Sequence, residues 1–138
     1  MKLKQVALDV SRNRLEGTIP ATYKNCASLQ VLNVGDNLLS GPIQCLDEFT
    51  SLKSLRYLSL EGNSFHGFLS VSFSDLPKLR VLNLSRNQLA GAVPRGLAQV
   101  IELDHPSILS CSLLAPSTLY SRMSQAIPQY RYTDLCLL

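Results

Sequence analysis

The 138-residue chain has no apolar run of bilayer length, no block of like charges and only two histidines, and each shortage removes a class of function. Its longest apolar-looking stretch, residues 108–115, falls far short of the ~20 residues a membrane helix requires. The chain therefore carries no membrane segment of its own. MKLKQVALDV at the N-terminus holds two lysines but no apolar stretch of the kind a secretory signal needs. Lysine and arginine are scattered, the net charge is +3, and no basic patch is interleaved with aromatics, so nucleic acid is not an expected partner. None of the four cysteines stands at metal-finger spacing, which argues against zinc. The two histidines, His66 and His105, cannot be assembled into a Ser/His/Asp or Cys/His arrangement; no phosphate loop or kinase motif is present. Neither catalysis nor a cofactor is expected.

What the sequence does contain is repetition. Asn13, Asn37, Asn63 and Asn87 follow one another at intervals of 24, 26 and 24 residues, within LDVSRNRLEGTIP (8–20), LNVGDNLLSGPIQ (32–44), LSLEGNSFHGFLS (58–70) and LNLSRNQLAGAVP (82–94). A period of 20–29 residues with this leucine pattern is that of a leucine-rich unit. Side chains alternate sides along a strand, so Leu8/Val10, Leu32/Val34, Leu58/Leu60 and Leu82/Leu84 point inward together. Two residues after each asparagine a third inward column holds Leu15, Leu39, Phe65 and Leu89, and six after it a fourth holds Ile19, Ile43, Leu69 and Val93. No single coil buries these faces alone, whereas stacked coils share one core and sum repeat and neighbour terms.

Each asparagine stands where the chain leaves the strand. Its amide, both donor and acceptor, can satisfy backbone groups that a turn would strand inside, so the four are expected to form a buried polar ladder. Gly17, Gly41, Gly67 and Gly91, four residues later, suit tight or positive-φ backbone, and Pro20 and Pro94 suit a side without ladder hydrogen bonds. These residues are structural, not sites.

The pattern L-x-x-L-x-L-x-x-N-x-L-x-G-x-I-P, across roughly residues 3–97, resembles the plant-type leucine-rich repeats of receptor-like proteins, receptor-like kinases and polygalacturonase inhibitors. The resemblance implies an α/β-type solenoid: a short right-handed coil with a parallel concave β-sheet of about four strands and an irregular convex side. It also implies a binding module, a fragment of a cell-surface receptor-like protein in recognition or signalling, with a protein or peptide ligand and a co-receptor as a second partner. The parent would sit at the plasma membrane or outside the cell, although no export signal is visible here and the cytoplasm stays open. An enzyme inhibitor like the polygalacturonase inhibitors, or a truncated product without function, are the alternatives, since fold alone does not give function.

Departures from the pattern mark the edges. Gln44 and Ser70 replace proline, repeat 2 carries two extra residues on its convex side, and Gln5 occupies a leucine column, which suggests a frayed first coil. No cysteine pair precedes the first repeat, so the N-terminal cap usual in such arrays is missing. Cys26 is in register with Leu52 and Leu76 and is expected as a buried thiol. Residues 1–98 read as four repeats. Residues 99–138, with Pro106 breaking the expected strand, read as a degenerate fifth repeat or cap and an irregular tail, in which spacing alone cannot establish a disulfide between Cys111 and Cys136.

Ligand contact should come from outward residues of the strands and their exits: Asp9, Arg12, Asn33, Asp36, Ser59, Glu61, Asn83 and Arg86, with Arg56, Tyr57 and Arg80. Tyr57 amid Arg56, Arg80, Arg86 and Glu61 is the expected anchor cluster, because aromatic and arginine side chains dominate interface energetics. Asn83-Leu84-Ser85 is a glycosylation sequon that matters only on export. Four strands ~4.8 Å apart and some five residues across give roughly 300 Å², well under the ~800 Å² per partner of a standard interface. Such a strip binds weakly by itself.

Overall fold

The computed structural model describes residues 6–91, and the readings of Val93, Pro94, His105, the fifth repeat and the tail cysteines lie outside that range. Each of the four coils opens with a short strand: β1 (Ala7–Asp9), β3 (Val31–Asn33), β5 (Tyr57–Ser59) and β7 (Val81–Asn83). They pair in parallel in the order β1-β3-β5-β7, with Leu8, Leu32, Leu58 and Leu82 side by side. Equivalent residues pair because the inward leucines must share one plane, and a slip of one residue would turn every leucine to solvent.

Beneath the leucines lies one core. Leu32, Leu58, Leu60 and Leu84 are fully buried, and Leu29, Leu55 and Leu79 just before the strands join them, with Phe65, Leu39 and Leu89 behind. Leu8, Val10 and Ile19 of the first coil are only partly covered. Leu15, expected in the third inward column, is 43% exposed where its equivalents Leu39, Phe65 and Leu89 are at most 6% exposed, because none of the described residues stacks on the outer side of the first coil. Cys26 is a free thiol but half-buried, for the same reason.

The convex side is more regular than expected. A second parallel sheet runs β2 (Glu16–Gly17), β4 (Leu38–Pro42), β6 (Ser64–Phe68) and β8 (Gln88–Ala90). Its pairs, such as Ser40 with Ser64 and His66 with Gln88, fall two residues short of repeat-equivalent partners. Gly17, Gly41 and Gly67 lie in the last two residues of their strands and Gly91 just after β8, all with positive φ, as a residue without Cβ allows.

Each of the first three coils closes on a 3-10 helix: Ala21–Asn25, Ile43–Ser51 and Val71–Asp75. Pro20 and Pro42 precede the first two in extended backbone, and Ser70, where the pattern has proline, instead accepts a hydrogen bond from the Ser72 N–H. The second helix has nine residues against five in its neighbours, so the extra residues of repeat 2 are taken up in helix.

The asparagine ladder forms. Asn63 Nδ2 donates to the carbonyls of Leu60 (3.0 Å) and Glu61 (3.1 Å) in its own coil and of Val34 (3.1 Å) in the preceding one, while its Oδ1 accepts from the Leu39 N–H (3.0 Å). Asn37 and Asn87 repeat the arrangement. Asn13 does not share it: this asparagine is exposed.

Candidate functional site: the concave sheet and its exit row

Zero stagger in the first sheet sets the outward residues in rows down the stack. Ala7, Val31, Tyr57 and Val81 form an apolar row, and Asp9, Asn33, Ser59 and Asn83 a polar one. Past the strands the coils stay bonded: the N–H groups of Arg12, Asp36 and Gly62 donate to the carbonyls of Gly35, Glu61 and Ser85. This bonding aligns a third row, Ser11, Gly35, Glu61 and Ser85, and a fourth, Arg12, Asp36, Gly62 and Arg86.

The fourth row has a backbone property absent from the sequence reading. Arg12, Asp36, Gly62 and Arg86 all adopt left-handed backbone, with φ of 56°, 52°, 62° and 53°. Three of the four bear a Cβ, a conformation that costs of order 1 kcal/mol or more apiece and persists only where the surroundings impose it. Here the asparagine next in sequence imposes it, its Nδ2 donating in every coil to the carbonyls two and three residues before it and so closing the same turn. A glycine in one of four copies was the available signal.

At Gly62 the missing side chain opens a passage. A Cβ there would stand on Asp36 Oδ1 and 3.3 Å from Arg86 Nη2. Through this gap Arg86 reaches across the third coil to the second: Nη2 lies 2.6 Å from Asp36 Oδ1 and 3.0 Å from Glu61 Oε1, with Nε 3.2 Å from the same Glu61 oxygen. Glu61 Oε2 accepts from Asn83 Nδ2 at 2.8 Å, and Arg12 Nε stands 3.9 Å from Asp36 Oδ2. Hydrogen bonding to Glu61, with the charges of Asp36 and Glu61 adding to it, raises the Arg86 guanidinium above its already high ordinary value.

Polar residues of the second row brace the strand exits. Asp9 Oδ1 accepts from the N–H and hydroxyl of Ser11 (3.0 and 2.7 Å), and Asp9 Oδ2 accepts from Asn33 Nδ2 (3.1 Å). Asn33 Oδ1 accepts from the Gly35 N–H, and Asn83 Oδ1 from the N–H and hydroxyl of Ser85. The Ser11 hydroxyl and N–H hold the Asp9 carboxyl below its ordinary value, against a smaller opposing effect of burial.

Several expected contact residues are therefore placed differently from the sequence reading. Ser59 is 3% exposed, a short side chain on a central strand between the longer Asn33 and Asn83, so it cannot touch a ligand. The anchor cluster divides: Tyr57 lies half-buried between Val31 and Val81, while Arg86 turns to Glu61 and Asp36. Arg56 and Arg80 are exposed, the Arg80 N–H bonding the Arg56 carbonyl where the chain enters the sheet. Asn83 of the sequon is half-buried, with its nitrogen donating to Glu61 and its oxygen accepting from Ser85, itself 6% exposed. Asp9 and Arg12 are exposed, and Asn33, Asp36 and Glu61 half-exposed. His66 is exposed on β6, remote in the coil from these rows. Among the described residues no group of His, Cys, Asp and Glu could hold a metal ion, and no helix is long and apolar enough to cross a membrane.

Residues 45–89 match the family model described as leucine rich repeat. The chain is 37% identical over 98 residues to Receptor-like protein 41 of Arabidopsis thaliana, covering 70% of this chain and 11% of that protein. It is 34% identical over 88 residues to Receptor-like protein 34 of the same plant, covering 64% of this chain and 9% of the relative. These matches thus span about a tenth of the relatives' length. Among solved structures, the ectodomain of the Arabidopsis receptor kinase HAESA, in complex with the peptide hormone IDA and the co-receptor SERK1, superposes with a TM-score of 0.61 at 32% identity, over 79% of this chain and 17% of that one. The leucine-rich-repeat ectodomain of the Arabidopsis receptor kinase SOBIR1 superposes with a TM-score of 0.62 at 28% identity, over 79% of this chain and 53% of that one.

Proposed function

Because this chain is a plant-type leucine-rich-repeat protein similar to receptor-like proteins, we propose that it is a binding module that receives a protein or peptide ligand on its concave sheet. The observation that carries the reading is the likeness to an ectodomain solved with a peptide hormone and a co-receptor, in a chain whose own concave rows offer an apolar edge beside a polar one. The parent is a cell-surface receptor-like protein in recognition or signalling, and a co-receptor is its second partner. On export the Asn83 sequon is its glycosylation site once Asn83 Nδ2 and the Ser85 hydroxyl leave Glu61 and Asn83 Oδ1, and a glycan there would shift ligand contact to the first three coils.

Within the strip the roles divide. Tyr57, Val31 and Val81 supply apolar contact, and Arg56 and Arg80 supply charge at the sheet entrance. Asp9, Asn33, Asn83, Glu61, Asp36, Arg86 and Arg12 present polar atoms already held in place by one another, which lowers the side-chain entropy a ligand would have to overcome. Four coils offer well under the area of a standard interface, so affinity is low unless neighbouring surface contributes. The reading is one of recognition without catalysis.

The test is a displayed random peptide library selected on the full chain. Selected peptides should lose at least tenfold in affinity against Tyr57→Ala and Arg56→Ala, and keep it against Lys53→Ala, which lies beyond the second 3-10 helix. Peptides indifferent to the concave substitutions would refute the assignment.

A further inference from the structure

We propose that the outward face of the second sheet, centred on Phe68, binds a neutral polysaccharide, stacking a pyranose ring on the phenyl group and bonding its hydroxyls from Gln44, His66 and Gln88. Strand alternation sets this surface: Leu39, Phe65 and Leu89 point into the core, and Leu38, His66, Phe68 and Gln88 are exposed. Not one residue of β4, β6 or β8 is Lys, Arg, Asp or Glu, whereas the concave rows carry several of each sign.

The side chains on this face are held by glycines. Phe68 is 63% exposed, yet a Cβ on Gly91 of the next coil would stand 2.6 Å from its Cδ1 and 3.3 Å from its Cε1, so one side of the ring rests on bare backbone and the remainder meets solvent. Gln44 lies over Gly67 in the same way, its Oε1 2.5 Å and its Nε2 3.0 Å from where a Cβ would be, and Thr18 lies over Gly41 with Cγ2 at 3.2 Å. Thr18, Gln44 and Phe68 therefore step down the array one coil apart, at the ~4.8 Å of neighbouring strands, which is close to the length of one pyranose unit.

Polar atoms here are uncommitted. On the concave side Asp9, Asn33, Glu61, Asn83 and Arg86 satisfy one another, but among the described residues the side chains of Gln44, His66 and Gln88 have no hydrogen-bond partner. These features select the occupant. A polyanion finds no lysine or arginine in the three strands, and an apolar helix would cover amides it cannot bond. A neutral sugar chain offers Phe68 an apolar ring face and offers the amides hydroxyls that both donate and accept. Because glycines already fix Phe68 and Gln44, little side-chain freedom is lost on binding.

The test is an amide NMR titration of the full chain with cellohexaose and with mannohexaose. Backbone amides of Gln44, His66, Phe68 and Gln88 should shift with at least one of the two, and those of Tyr57 and Arg86 should not. Phe68→Ala should weaken the sugar about fivefold or more, the worth of one aromatic contact, while Phe68→Tyr retains it. Tyr57→Ala should leave sugar binding intact, so failure of the concave reading and failure of this one are separate results. No shift at these amides with either sugar, sugar binding unchanged in Phe68→Ala, or hexagalacturonate bound as tightly as the neutral sugars overturns the proposal. Movement of the same amides by peptides selected on the concave sheet also overturns it, since the face would then belong to a peptide site.

Discussion

Replacing Gly62 by alanine tests the concave network at its narrowest point. Gly62 has φ +62°, and a Cβ on it would coincide with Asp36 Oδ1 and crowd Arg86 Nη2. Left-handed backbone costs an ordinary residue about 1–2 kcal/mol. Displacing Asp36 breaks its bond with Arg86, a pair whose side chains are 57% and 39% exposed and which therefore contributes only about 0.2–1 kcal/mol. The sum is roughly 1.2–3 kcal/mol, and at about 4–8 °C per kcal/mol for a domain this size the melting temperature should fall by roughly 5–24 °C. The assay is thermal and urea unfolding followed by circular dichroism, run as a double-mutant cycle with Arg86→Ala. In the Arg86→Ala background Gly62→Ala should cost less by about 0.3–1 kcal/mol, because the arginine contact is already gone. A cost below about 0.5 kcal/mol for Gly62→Ala alone would refute the strain argument, and strict additivity would refute the passage of Arg86 over Gly62.

Other expectations follow from the same geometry. Asn63→Ala strands buried backbone groups in two coils and should cost about 2–5 kcal/mol in urea unfolding, while Asn13→Ala should cost less than about 0.5 kcal/mol, although the two stand at the same position of the repeat. Phe65→Ala opens a cavity among the leucines and should cost about 3–5 kcal/mol by the same measurement, and the exposed Phe68→Ala should cost far less. Asp9, whose carboxyl is held below its ordinary value near 3.8, contributes stability that is present above that value and lost as pH falls through the lower folded one; unfolding midpoints from pH 5 to 2 should show this loss flattened in Asp9→Asn. Ser59→Ala should leave the affinity of selected peptides unchanged, because the side chain is covered.

The asparagine spacing and leucine columns were enough to predict the stacked coils and the positive-φ glycines, because each depends on a period that any four copies display, and the parallel first sheet followed from the family resemblance those columns carry. Convex order was not legible in the same way. The second sheet pairs two residues out of the repeat frame, and the nine-residue 3-10 helix at Ile43–Ser51 absorbs an insertion that in the sequence only interrupts the pattern. The candidate site was half visible: the outward rows follow from strand alternation, so Asp9, Asn33, Tyr57 and Asn83 could be assigned to the surface from their positions alone.

What the sequence by itself determined, then, is which residues face the core and which face away, since that is a local property of alternation and repeat length. Tertiary structure decided what each position is worth. Asn13 and Asn63 share one motif, but only stacking gives Asn63 a neighbour on both sides. Ser59 and Asn83 share one row, but only side-chain lengths on adjacent strands decide that Ser59 is covered. Arg86 meets Asp36, 50 residues away, only because coils pack at strand spacing and Gly62 leaves the space between them empty. Hydrogen bonds and ion pairs of this kind depend on distances of a few ångströms between coils, and a one-dimensional pattern does not contain those distances.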